Sequence, residues 1–144
     1  MFPTTTSSST TTSTTEAPPD PGTGELGLAV NNDLGVQNGG TSPSWIVKKP
    51  LRVTKIQTYH WNDAHGAGPG TIGLRGADGT AYGPWQAEGV PGMNDVPNAY
   101  WVVNPNQVVE PGVYKVIDSD PATWSQNSES QGLGFTFIFA EPAD

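Results

Sequence analysis

Leu51-Arg-Val-Thr-Lys-Ile-Gln-Thr-Tyr-His60 and the pair Thr71-Ile-Gly-Leu-Arg75 and Thr80-Ala-Tyr-Gly-Pro-Trp85 decide the fold class. In the first run the apolar side chains fall at Leu51, Val53, Ile56 and Tyr59. That is the alternation of a strand with one buried face. Its parity slips between Val53 and Ile56, which predicts a bulge there. The other two runs are joined by Gly76-Ala-Asp-Gly79. Asp-Gly between strand-like runs is a hairpin signal, because a tight hairpin turn needs residues that accept positive φ. Working outward, similar short runs are Leu26-Gly-Leu-Ala-Val30, Ser44-Trp-Ile-Val-Lys48, Ala99-Tyr-Trp-Val-Val103, Gln107-Val-Val109, Val113-Tyr-Lys-Val-Ile117 and Gly134-Phe-Thr-Phe-Ile-Phe-Ala140. No segment carries the 3.6-residue apolar period of a helix. About eight or nine short strands between turn residues predict an all-β chain, an antiparallel sandwich of jelly-roll type. Pro84, Pro97, Pro105 and Pro142 belong at edges, bulges or strand ends, since proline donates nothing to a ladder.

The chain has 144 residues, of which 14 are acidic and 6 are Lys or Arg, for a net charge of −8. That balance argues against nucleic acid and against an anionic membrane surface, both of which need clustered cations. There is no cysteine, hence no disulfide frame, thiol nucleophile or Cys-ligated zinc. A spanning helix needs about 20 consecutive apolar residues, and no such run exists. Residues 1–24 differ in kind from the rest. Thr4 to Thr15 is almost pure Ser/Thr and runs into Glu16-Ala-Pro-Pro-Asp-Pro21. Such an arm cannot bury enough apolar surface to offset the entropy of ordering it. Ser/Thr tracts running into proline are typical of extracellular stalks, which are often O-glycosylated. The layout is therefore an arm over residues 1–24 and one sandwich domain over 25–144, in a secreted or cell-surface setting.

Two segments lack strand character, Asn62 to Gly70 and Asp118 to Gly132, and long irregular loops in small domains often carry function. Trp61, Asn62, Trp124 and Gln126 sit in or beside them. With Tyr59 and Trp85 these residues form a candidate aromatic platform for sugar rings, whose C–H groups stack on a π face while hydroxyls meet a polar rim. Tyr100 and Trp101 are adjacent on one strand, so one of them faces outward. In the second loop Asp118, Asp120, Asn127 and Glu129 offer hard oxygen ligands of the kind a structural calcium takes. The competing reading makes the Asp118–Asp120 pair an Asx turn, with Thr123 or Ser125 bonding back to it. His60, Asp63 and His65 are near enough in sequence for a metal centre. The plainer reading makes His60 a strand-end residue that packs its ring. No Gly-x-Ser-x-Gly elbow, phosphate loop or singled-out carboxylate pair indicates catalysis.

A Thr/Ser/Pro linker (residues 4–22) joined to a small aromatic-rich β domain resembles the linker-plus-module ends of secreted polysaccharide-degrading enzymes. Phrases such as Thr58-Tyr-His-Trp-Asn62, Tyr82-Gly-Pro-Trp85 and Asp118-Ser-Asp-Pro-Ala-Thr-Trp-Ser125 add to that likeness. The resemblance implies a non-catalytic extracellular module that binds a polysaccharide or cell-surface glycan. The alternative is a structural subunit of an extracellular assembly (filament, surface layer or virion fibre) whose arm contacts identical subunits, since Thr-rich segments have good β propensity.

Overall fold

A computed structural model describes residues 28–30 and 35–143. The arm over residues 1–24, and the first two residues of the run expected at 26–30, lie outside the described residues. Among those described there are ten strands: β1 (Leu28–Val30), β2 (Ser44–Val47), β3 (Leu51–Tyr59), β4 (Thr71–Gly76), β5 (Ala81–Gln86), β6 (Glu88–Val90), β7 (Tyr100–Val103), β8 (Gln107–Val109), β9 (Gly112–Asp118) and β10 (Thr136–Pro142). One 3-10 turn, Met93–Asp95, joins β6 to β7. Every paired strand is antiparallel.

The strands form two sheets. One runs β1-β10-β3-β7-β6, with β8 also on β3, and the other runs β2-β9-β4-β5. Consecutive strands β1 to β4 switch sheet at each step, and β9 and β10 do so again. This splitting into 1-10-3-7 and 2-9-4-5 is the jelly-roll arrangement of two antiparallel sheets, as the alternation predicts. The sheets close over Trp45, Val53, Ile56, Ile72, Trp101 and Ile138, among others, all nearly inaccessible. A side chain of that size gains about 1.5–3 kcal/mol from full burial, so this layer is the main source of stability.

The expected bulge in β3 is present. Lys55 pairs with Phe139 and Val53 with Ala140, so Thr54 is the extra residue. The other edge of β3 changes neighbour at the same place. Ile56–Tyr59 pair with β7, and Leu51–Val53 pair with β8. Thr54 stabilises the break by donating its hydroxyl to Phe139 O and accepting the Asn104 side-chain amide at its carbonyl. The Asp78-Gly79 hairpin forms between β4 and β5, with Gly79 at φ +93°. Pro84 lies in β5, an edge strand, opposite an irregularity in the β4–β5 register, and Pro142 ends β10. On β10 the inward residues are Thr136, Ile138 and Ala140, while Phe137 and Phe139 share the half-buried outer face. The strand missed by the sequence pattern is β6. Glu88-Gly-Val90 is too short to show alternation, and Gly89 is required because a Cβ would collide with the Asn98 side chain.

Thr58, facing inward from β3, has the one buried side-chain oxygen without a hydrogen-bond partner among the described residues. An unpaired buried hydroxyl is costly, whereas an apolar group of the same shape is not. Thr58→Val is expected to raise the unfolding free energy by about 1 kcal/mol. Urea denaturation measures this, and a loss of stability would mean that the hydroxyl has a partner after all.

Candidate functional site

β3 ends at Tyr59, and the next two residues are fixed by the loop after β9. Ser125 is the fixing point. Its N–H donates to Tyr59 O, its hydroxyl accepts Trp61 N–H at 2.9 Å, and its carbonyl accepts Phe135 N–H at 2.8 Å. Ser125 thus ties the end of β3 to the approach to β10, from inside the protein, where it is fully buried.

His60 sits between Tyr59 and Trp61 and points inward. Its ring stacks on Trp101 at 3.8 Å between centroids and 16° between planes. Its Nε2 lies 2.7 Å from Asp118 Oδ2 and its Nδ1 lies 2.7 Å from the Thr123 hydroxyl. That hydroxyl also donates to Asp120 Oδ2, and Asp118 Oδ1 accepts Asp120 N–H. The polar chain Asp118–His60–Thr123–Asp120 therefore locks the start of the second long loop onto the end of β3.

Trp124, next to Ser125, is 1% exposed. It belongs to the core, which corrects its expected role as a surface platform. The reason is a slot made by two glycines. A Cβ on Gly134 would lie 2.0 Å from the indole, and one on Gly40 would lie 3.1 Å from it. The indole N–H is satisfied by Phe135 O, and Gly40 N–H donates to Trp124 O.

The chain then turns sharply. Asn62, Asp63 and Ala64 all have φ between 50° and 67°, and Gly66 has φ 66°. Left-handed backbone costs an L-residue such as Ala64 roughly 1–2 kcal/mol, so something must hold it. Asn62 does so in part, by donating its amide to Gly66 O. Its Oδ1 accepts the Asn38 side-chain amide at 2.9 Å, and Asn38 O accepts the Gln126 side-chain amide at 2.9 Å. Gly66 admits the turn because a Cβ there would meet Pro97 O at 1.8 Å.

Outside this clasp lies an aromatic cluster. Tyr59 is 4.8 Å from Tyr100 and 6.3 Å from Trp61, with the Tyr59 and Trp61 planes only 25° apart. All three rings are half-buried. Phe135 lies parallel to Tyr59 beneath them, at 6.4 Å and 11°. Burial, then the neighbouring Tyr100, push the Tyr59 phenol above its usual value.

The structure therefore brings together Tyr59, Trp61, Asn62 and Gln126 of the expected platform. It adds Tyr100 and Asn38, neither of which the sequence reading placed in the platform. Trp85 is not part of this group. It pairs with Ile72 in the other sheet and packs half-buried against the core. The oxygen ligands expected for calcium are engaged otherwise. Asp118 and Asp120 are taken by His60, Thr123 and a backbone amide. Asn127 Oδ1 accepts Ser130 N–H in a tight turn while its amide donates to the distant Gly35 O, and Glu129 is exposed. His60 has both ring nitrogens occupied, so it does not join the exposed Asp63 and His65. Among the described residues no three His, Asp or Glu side chains converge as a metal requires.

Comparisons with family models, with curated proteins and with solved structures find no match to this chain.

Removing Asp118 would leave His60 Nε2 buried without a partner. Asp118→Ala is expected to cost about 3 kcal/mol in chemical denaturation. A cost near zero would show that the buried chain does not hold the loop.

Proposed function

We propose that this domain is a non-catalytic carbohydrate-binding module of an extracellular protein. In this reading it grips an uncharged glycan with Tyr59, Trp61 and Tyr100. The observation that supports it most is the clustering of three half-buried rings beside three side-chain amides, all held by a buried scaffold rather than by a mobile loop. Ring faces take the C–H groups of a sugar, and amides both donate to and accept from its hydroxyls. Asn38 Oδ1 and Gln126 Oε1 receive no hydrogen bond from a described residue, so two acceptors remain for ligand hydroxyls. Pre-set rings lose little freedom on binding, which is where affinity for a flexible polymer is otherwise lost. Jelly rolls serve lectin and capsid domains alike, so the reading rests on the site and not on the fold.

The test is a pull-down on insoluble polysaccharides together with a glycan array, using the full chain. Trp61→Ala and Tyr100→Ala are expected to weaken binding about tenfold each, the effect of roughly 1.4 kcal/mol. Ile46→Ser, on the opposite sheet, is expected to leave it unchanged. Absence of binding to every glycan by the folded wild-type protein would overturn the reading.

One observation favours the second reading, a subunit of an extracellular assembly. On the outer face of the β2-β9-β4-β5 sheet, Ile46 and Val113 lie side by side in register and are 63% and 46% exposed. An apolar pair on an edge strand and its neighbour suits a protein contact better than a sugar. Sedimentation of the wild type separates the two readings, because only an assembly subunit self-associates in a way that Ile46→Ser reverses.

A further inference from the structure

Asn38-Gly39 is the chain's single Asn-Gly pair, and it lies in the amide row just described. Both residues are exposed. Gly39 has φ +92°, and a Cβ built on it would meet nothing within 4 Å. The backbone amides on either side are engaged. Gln37 N–H donates to Gln126 O, Gly40 N–H to Trp124 O and Thr41 N–H to Gly132 O. The Gly39 N–H donates to no described residue. The flanks are therefore pinned while the one nitrogen that can reach the Asn38 side chain is left open to solvent, with no side chain of its own to shield it.

We propose that Asn38 is a site of spontaneous deamidation through the Gly39 nitrogen. The Asn38 side chain first leaves Asn62 Oδ1. Solvent base takes the Gly39 amide proton, and the nitrogen attacks Asn38 Cγ. A bond from N to Cγ forms, the bond from Cγ to Nδ2 breaks, and Nδ2 departs as ammonia carrying a proton returned from solvent. The product is a five-membered succinimide. Water then opens one of its two carbonyls, giving aspartate or an isoaspartyl linkage. Asparagine and water become aspartate and ammonia, with no oxidation or reduction.

The consequence follows from the contacts. A carboxylate at position 38 donates nothing to Asn62 Oδ1, so two acceptor oxygens face each other where a hydrogen bond stood. The isoaspartyl product also lengthens the backbone by one carbon between the anchored residues Gln37 and Gly40. Both changes loosen the segment that supports the left-handed turn after Trp61. The covalent change stands whether or not the amide row binds a glycan.

The intact chain is incubated in mildly alkaline buffer beside a free peptide of residues 35–41. Peptide mapping by mass spectrometry and enzymatic isoaspartyl methylation then follow the asparagines. The expected result is that Asn38 converts before every other asparagine, with both aspartyl and isoaspartyl products and one equivalent of ammonia released. Three results would overturn the proposal: Asn38 still an amide once the peptide has converted, another asparagine reacting first, or aspartate formed with no isoaspartyl product. Asn38→Asp, which mimics one product, is expected to melt at a lower temperature than the wild type. An equal melting temperature would overturn the stated consequence and leave the mass-spectrometric test to decide the chemistry.

Discussion

The hydrogen bonds of Ser125 are the constraint on which the rest of the aromatic end depends. The loop of seventeen residues between β9 and β10 has no ladder of its own, and its backbone groups must still be satisfied when buried. Ser125 answers this by acting as a short link between the end of β3 and the residue just before β10, both in the other sheet's layer. It bonds backbone to backbone with Tyr59 and Phe135, and its hydroxyl takes the amide of Trp61. Each such bond is worth about 1 kcal/mol net, but breaking one inside the protein costs more. The loop cannot lift without leaving several groups unpaired at once.

The neighbouring residues fit that constraint. His60 and Trp124 both point inward, on either side of the Ser125 link, and each large ring needs room. Trp101 supplies a face for His60, and Gly40 and Gly134 leave the slot that Trp124 fills. Polar contacts then complete the set, with Asp118 and Thr123 at the two ends of the imidazole. With these inside, Tyr59 and Trp61 have no choice but to face outward, and Tyr100 meets Tyr59 through the β3–β7 register. A rigid interior and an aromatic exterior are two consequences of one alternation.

Much of this was legible in the sequence. The clean alternation of Leu51–Tyr59 placed β3 and its bulge, and Asp78-Gly79 placed the β4–β5 hairpin. The opposite faces of Tyr100 and Trp101 were also readable, and so was the packed-ring reading of His60. Membership of a loop does not by itself mean exposure. Trp124 stands in an irregular segment and is still core, because burial depends on partners distant in sequence. The signal was present as the glycines at 40 and 134, but a glycine does not name the ring it makes room for. Asn38 was illegible for a similar reason. Its role comes from contacts with Asn62 and Gln126, which lie 24 and 88 residues away.

The most direct test of the clasp is amide hydrogen exchange at Trp61. Its N–H lies just beyond the end of β3 and before a left-handed turn, where an ordinary loop amide exchanges quickly. Because it donates to a buried Ser125 hydroxyl, its exchange is expected to be as slow as that of the central β3 amides, which open only with global unfolding. Exchange at the rate of the exposed residues 63–65 would contradict the claim that the second loop holds the aromatic site in place.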